Sequence, residues 1–218
     1  MKHIHAAATF AAIALAGSAQ AAIIVHNAPF IGAISNFNGF EGLGPQYSFT
    51  GPYTEGGITV EYIGSAGIWS TSQAAEGSYS WYENGGGTGF TDIKLAGGGD
   101  IGAIEFQAGS GWYGAGASLQ YQLLKGGLTV QTGVAGPLSG YTGFTTYGFS
   151  GGGFDEVRLQ GAQGAGPFDP AAYEAAAYDA IAIGPGGAIP EPGTWALMIT
   201  GFALCGMVLR TRRRLESA

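Results

Sequence analysis

Cysteine is almost absent: one residue in 218, Cys205, which excludes an internal disulfide and every cysteine-rich zinc site. Histidine is nearly as scarce. His3 and His5 fall in the first six residues, so only His26 remains for the body of the chain. A histidine cluster for zinc is therefore impossible, and a Ser-His-Asp arrangement would have to use His26. Positive charge is the third shortage. Between residues 22 and 188 only Lys94, Lys125 and Arg158 stand against thirteen Asp and Glu, a net charge of −10. Nucleic-acid phosphates and anionic lipid would be repelled by such a surface, so nucleic acid is excluded as a partner.

Glycine, by contrast, makes up 42 of 218 residues without a Gly-X-Y period, which rules out collagen. The glycines separate short runs rich in Val, Ile, Tyr, Phe and Thr, the pattern of many strands joined by turns. The runs predict strands over 22–26, 36–41, 47–49, 58–63, 68–71, 79–82, 91–95, 101–107, 117–124, 128–132, 145–149, 156–160 and 178–183. In 118–123 one face is apolar and the other amide. Only 169–177 reads as helix, with Asp169 as cap, Pro170 in the first position and alanines following. The fold class is all-β, a jelly-roll-like two-sheet β-sandwich, because no blade-length repeat supports a propeller. Two echoes are recurrent hairpin chemistry rather than duplication, since their offsets differ. Gly56-Gly57-Ile58-Thr59-Val60 returns as Gly126-Gly127-Leu128-Thr129-Val130, and Phe90-Thr91-Asp92-Ile93-Lys94-Leu95 resembles Phe154-Asp155-Glu156-Val157-Arg158-Leu159.

The two ends carry addresses. Lys2, an apolar stretch over 6–16 and the small residues Ala19 and Ala21 around Gln20 form a secretory signal peptide, 1–21, cleaved after Ala21. At the other end, Pro190-Glu191-Pro192 blocks helix and forces an extended approach. A helix then starts near Thr194 and runs uncharged to Leu209, followed by Arg210, Arg212, Arg213 and Arg214. Residues 194–209 span roughly 24 Å at about 1.5 Å each, marginal for a hydrocarbon core of ~30 Å. Trp195 sits at one interface, and the arginines fix the cytoplasmic side. Triplet, short apolar helix and basic cluster, in that order, resemble the PEP-CTERM sorting domain of Gram-negative bacteria, in the subtype continuing to Trp-Ala. The matching residues are Pro190, Glu191, Pro192, Trp195 and Ala196. The resemblance implies an exosortase as partner, which cleaves near the motif, and an inner-membrane anchor until it does. The organisation is then signal peptide 1–21, ectodomain 22–188 and sorting signal 189–218. It also implies association with exopolysaccharide and biofilm at the cell surface or outside the cell.

A second resemblance concerns the ectodomain. Phe40-Glu41-Gly42 and Ala177-Tyr178-Asp179-Ala180-Ile181 are similar to the N- and C-terminal landmarks of carbohydrate-binding-module-like jelly rolls, which implies a structural calcium ion held by Glu41 and Asp179 together with backbone carbonyls. Trp69, Trp81, Tyr82, Trp112 and Tyr113 are the aromatics expected to stack on sugar rings, the pair Trp112-Tyr113 foremost because glycines flank it. The composition favours a non-catalytic protein. The alternative is a secreted glycan-active enzyme, which would draw two facing carboxylates from Glu76, Glu83, Asp92, Asp100 and Glu105.

Overall fold

The computed structural model describes residues 22–45, 50–65, 68–71, 74–83, 88–110, 116–140, 143–163, 166, 168–171, 173–185 and 199–202. The chain divides into two units, Ala21–Ile189 and a second composed of Met1–Gln20 with Pro190–Ala218. In the second unit only 199–202 are described, as helix. Among the described residues no helix is long and apolar enough to cross a membrane. The segment 194–209 falls largely outside the described residues, as do the sorting-motif residues 190–196, the arginines 210–214 and the signal-peptide residues Ala19 and Ala21.

In the unit Ala21–Ile189 the described strands are β1 (Ile24–His26), β2 (Asn36–Asn38), β3 (Tyr53–Glu55), β4 (Ile58–Gly64), β5 (Ile68–Thr71), β6 (Ser80–Glu83), β7 (Gly89–Leu95), β8 (Ile101–Ser110), β9 (Ala117–Lys125), β10 (Leu128–Pro137), β11 (Thr145–Phe154), β12 (Glu156–Gln163), β13 (Tyr173–Glu174) and β14 (Ala176–Gly184). They form two antiparallel seven-stranded sheets. The first runs β1-β11-β8-β14-β6-β5 with β2 also on β14; the second runs β10-β9-β12-β7-β4-β3 with β13 on β12. This is the expected two-sheet sandwich.

Alternation decides the inner faces. Ile58 and Val60, Thr91 and Ile93, Val157 and Leu159, and Leu119, Tyr121 and Leu123 face inward from the second sheet and are buried. Phe106 centres the inner face of the first sheet, with Tyr147, Phe149 and Tyr178 at ring distances of 6.4, 6.0 and 6.4 Å. Tyr121 reaches across to Phe149 at 4.6 Å, joining the two layers.

Both Gly-Gly echoes are hairpin turns. Gly56 and Gly57 have φ of 54° and 80°, Gly126 and Gly127 of 57° and 78°. Positive φ at both central residues of a two-residue loop is the type I′ turn, whose twist matches that of the flanking strands. The turns close Glu55↔Ile58 and Lys125↔Leu128.

Three expectations are corrected. Among the described residues the predicted helix 169–177 is absent: residues 170–171 form a turn, then β13 and β14 follow. Ala175, Ala176 and Ala177 are buried at 4%, 0% and 5% exposure, and β14 threads between β8 and β6, so ladder pairing overrides the helical preference of alanine. The predicted strand 36–41 stops at Asn38, because Phe40 adopts φ 59° and leads into a 3-10 turn over Glu41–Leu43. Strand β3 was not anticipated, and 47–49 lies outside the described residues.

The two turns differ in surroundings. A methyl group on Gly56 would stand 1.7 Å from the Phe37 carbonyl oxygen, whereas on Gly126 it meets nothing within 4 Å. Gly126→Ala is expected to cost about 1 kcal/mol of backbone strain and Gly56→Ala at least about 3. Equal midpoints in urea unfolding for the two variants would contradict this packing.

Candidate functional site

Glu41 and Asp179, far apart in sequence, meet at one loop. Oε1 of Glu41 accepts from the Ser78 and Tyr79 N–H groups at 2.7 and 3.0 Å. Oδ2 of Asp179 accepts from Ala75 and Glu76 at 2.7 and 2.9 Å, and its Oδ1 from Ala180 at 2.7 Å. Between the two pairs of donors Gly77 turns at φ 66°, with its Cβ position 2.3 Å from Glu41 Oε1. Each carboxylate also sits beside a strained residue: Phe40 at φ 59° and Ala180 at φ 49° are the described non-glycine residues with positive φ. Ala180 lies in the irregularity between Asp179 and Ala182, which turns the Asp179 carboxylate toward the loop.

The described contacts of the two carboxylates named for calcium are with N–H groups. Calcium takes six to eight oxygens, whereas the described partners of these two carboxylates are N–H donors, two on Glu41 Oε1 and two on Asp179 Oδ2. Among the described residues no three His, Cys, Asp or Glu side chains gather to hold a metal. The pair works as a clamp on the loop leading into β6.

Of the five aromatics, Trp81 is corrected. It is fully buried, and its Nε1–H donates to Thr91 Oγ1 at 2.9 Å, so it fills the core and offers no face to a sugar. Tyr82, the next residue, is half-buried, and the β5–β6 register sets Trp69 opposite it. Trp112 and Tyr113 lie outside the described residues.

Most of the carboxylates proposed for catalysis are committed elsewhere. Glu83 is fully buried; its Oε1 accepts from the Thr91 hydroxyl at 2.5 Å and its Oε2 has no hydrogen-bond partner. Burial pushes its pKa well above the ordinary carboxylate range, with the Thr91 hydrogen bonds pulling the other way. Glu105 holds the Phe30 and Ile31 N–H groups at 2.6 and 3.1 Å, and Asp100 pairs with Lys125. Glu76 is exposed in the clamped loop. His26 Nε2 lies 2.8 Å from the hydroxyl of Ser150, within Gly148-Phe149-Ser150-Gly151-Gly152. That Gly-x-Ser-x-Gly spacing sits in strand β11 at an irregularity over Ser150–Phe154, without the strand-to-helix elbow that exposes a nucleophile. The His26 ring is stacked on Phe30 at 3.8 Å.

The outer face of the second sheet holds what the motif reading passed over. Its registers stack side chains in rows across five strands. One row is Glu61, Asp92, Arg158, Gln122 and Thr132; the next is Thr59, Lys94, Glu156, Leu124 and Thr129. The Phe90–Leu95 and Phe154–Leu159 echo is thus two neighbouring antiparallel strands, with opposite charges facing. Lys94 Nζ lies 2.6 Å from Asp92 and 3.2 Å from Glu156. Arg158 donates to Glu156 at 2.6 Å and to the Gln122 amide oxygen at 3.2 Å, and its guanidinium lies 4.9 Å from the centre of the Phe90 ring. Burial, opposed by the Lys94 hydrogen bond and reinforced by Glu156, pushes Asp92 up to about 6.

A third row, Phe90, Gln160 and Gln120, is roofed by Gly166, Phe168 and Asp169, at and just ahead of the start of the segment expected to be helical. Gln120 bonds the Gly166 carbonyl and the Asp169 N–H at 3.0 and 3.2 Å, Gln160 bonds the Asp169 carbonyl at 2.6 Å, and Phe168 packs edge-on against Phe90 at 5.7 Å. The amide face of 118–123 was the signal in the sequence. Its partners in the roof were not visible there.

No family model matches this chain, and no curated protein matches it. Among solved structures, a family 29 carbohydrate-binding module from Piromyces equi is similar over 62% of this chain and 86% of its own, at 16% identity and a TM-score of 0.35. A mutant family 29 module complexed with mannohexaose covers 75% and 92%, at 12% identity and a TM-score of 0.30. Arthrobacter globiformis T6 isomalto-dextranase complexed with panose covers 76% of this chain and 33% of its own, at 14% identity and a TM-score of 0.27. At these levels none of them assigns a function to this chain.

Glu83, Asp92 and Asp179 all hold protons to higher pH in the folded state; Asp179 is pushed up to about 6, chiefly by burial against the pull of its three N–H donors. The folded state therefore binds more protons than the unfolded chain between about pH 4 and 6. The stabilisation is complete below the unfolded pKa and lost as pH rises through the folded one. Tm should fall by several degrees from about pH 5 to about pH 8, with a shallower slope in Glu83→Gln. A Tm rising over that interval would contradict the burial of these groups. Asp179→Ala, which strips three N–H groups of their acceptor, should cost about 3 kcal/mol, while a calcium chelator leaves the wild-type Tm unchanged. A chelator-induced drop abolished by Glu41→Ala and Asp179→Ala would instead establish the metal.

Proposed function

We propose that this chain is an exported, exosortase-processed surface or extracellular-matrix protein, non-catalytic and associated with exopolysaccharide. The observation that carries it is the ordered run Pro190-Glu191-Pro192, Trp195-Ala196, an uncharged apolar stretch to Leu209 and four arginines from Arg210 to Arg214. These are three physically different parts in the one order that stops a chain in a membrane with its preceding domain outside. The signal-peptide pattern ending at Ala21 supports the same topology. In this reading the inner membrane holds the chain until the exosortase cuts it, and the acidic ectodomain meets uncharged or weakly charged glycan more readily than nucleic acid or anionic lipid.

The sandwich suits a binding role because loops and sheet faces on a rigid scaffold present side chains without reorganisation. Trp112 and Tyr113, flanked by glycines in the sequence, are one pair of aromatics offered to sugar, with Trp69 and Tyr82 as a second pair. Of the five carboxylates that a glycan-active enzyme would draw on, Glu83, Asp92, Asp100 and Glu105 each hold a structural partner, and Glu76 is exposed.

Epitope tags placed after residue 21 and at the C-terminus test the topology. In cells with an active exosortase the first tag should reach the surface on a shortened chain, and the second should separate from it. Retention of both tags on one full-length species would overturn processing. Co-purification with the host's polysaccharide, undiminished in mass over time, is the expected glycan result; release of shortened polysaccharide would overturn the non-catalytic reading.

A further inference from the structure

The outer face of the second sheet is divided. The Phe90–Gln160–Gln120 row lies under a roof made by Gly166, Phe168 and Asp169, whereas the two rows beside it have no described segment bonded across them. The roof edge, with Phe168 on Phe90, makes a ledge along the row Glu61, Asp92, Arg158, Gln122 and Thr132. Four inter-strand gaps at about 4.8 Å each make that row roughly 19 Å long, enough for several sugar rings laid across the strands.

We propose that this row and its aromatic ledge bind an uncharged polysaccharide, an inference that rests on the glycan-associated role proposed above and names its site and ligand class. Hydroxyl groups need alternating donors and acceptors, and the row supplies them: carboxylate at Glu61, guanidinium at Arg158, amide at Gln122 and hydroxyl at Thr132. The side chains are held before a ligand arrives. Arg158 is fixed by Glu156, Gln122 and the Phe90 ring, and Gln122 by Thr129 at 3.0 Å. Little rotamer freedom remains to be lost on binding.

The ligand is uncharged because both cations of the face are already paired. Lys94 is taken by Asp92 and Glu156, and Arg158 by Glu156, so no cation is left to attract a uronate, sulfate or phosphate, while Glu61 repels one. An independent sign of an absent partner lies at the centre of the row. Asp92, whose side chain is 6% exposed, has an Oδ1 without a hydrogen-bond donor, the Arg158 Nε standing 3.8 Å away. Buried acceptors are rarely left so, and a hydroxyl or a ligand-borne water reaching in beside Arg158 would satisfy it.

Affinity electrophoresis of the full-length protein in detergent, through gels containing a soluble neutral glucan, a neutral mannan or alginate, tests the assignment. Retardation by a neutral glycan and not by alginate is expected. Gln122→Ala and Phe90→Ala, both with thermal unfolding close to wild type, should weaken it by roughly three- to tenfold. Wild-type retardation that Gln122→Ala and Phe90→Ala do not alter, or that only Trp112→Ala alters, would overturn the sheet-face site while leaving the glycan-binding role intact. Stronger retardation by alginate would overturn the ligand class. Wild type unretarded in every gel would overturn the glycan-binding role itself, and the site with it.

Discussion

A carboxylate accepting backbone N–H groups is the interaction on which the rest of this domain depends. Glycine-rich connections leave many peptide groups without ladder partners, and a buried N–H without an acceptor costs on the order of 1–3 kcal/mol. Glu41, Glu55, Glu105, Asp155, Asp169 and Asp179 each supply such an acceptor to a loop or turn. Glu55 shows how economically this is done: one oxygen takes Gly39 N–H and the other takes Gly42 N–H along with the Tyr53 hydroxyl. The acidic excess that at first suggests cations or a repulsive surface is therefore in large part internal wiring. It also accounts for a domain of this glycine content standing without a disulfide.

The two kinds of carboxylate differ in what surrounds them. Those at loops meet N–H dipoles, whereas those on the outer face of the second sheet meet Lys94 and Arg158. The second arrangement confines two of the domain's three basic residues to one face and neutralises it locally. Glu83 belongs to neither group. It lies in the core on a chain of hydroxyl and indole groups, Glu83–Thr91–Trp81, where a neutral carboxyl fits and a charged one does not.

Local chemistry was legible in the sequence, and pairing over distance was not. Gly56-Gly57 and Gly126-Gly127 declared their turns because positive φ at two successive residues is a property of the turn alone. The alternation of 118–123 declared a face for the same reason. The alanines over 169–177 misled because their burial depends on β8 and β6, which no window around them contains. Trp81 belongs with Tyr82 among the aromatics expected to stack on sugar, yet strand alternation sends the two to opposite sides of one sheet. The clamp of Glu41 and Asp179 was half visible: the two ends of the domain were rightly brought together, but the N–H groups that join them belong to residues 75–79, whose sequence carries no acceptor motif.

The position of β14 bears on when the domain becomes a domain at all. It is the last of the described strands, yet it lies inside the first sheet, between β8 and β6 and beside β2, with Ser35 donating its N–H to the Ile183 carbonyl. A chain emerging from its amino end must hold β1 to β12 without that central member, with β8 and β6 each exposing an unpaired edge, until residues 176–184 arrive. Loop closure over so long a separation is slow. Only five residues then lie between Gly184 and Pro190. Completion of the sheet and appearance of the carboxy-terminal segment are thus nearly simultaneous, so a chain stalled or clipped just short of its end is left as an open sheet prone to pairing with its neighbours.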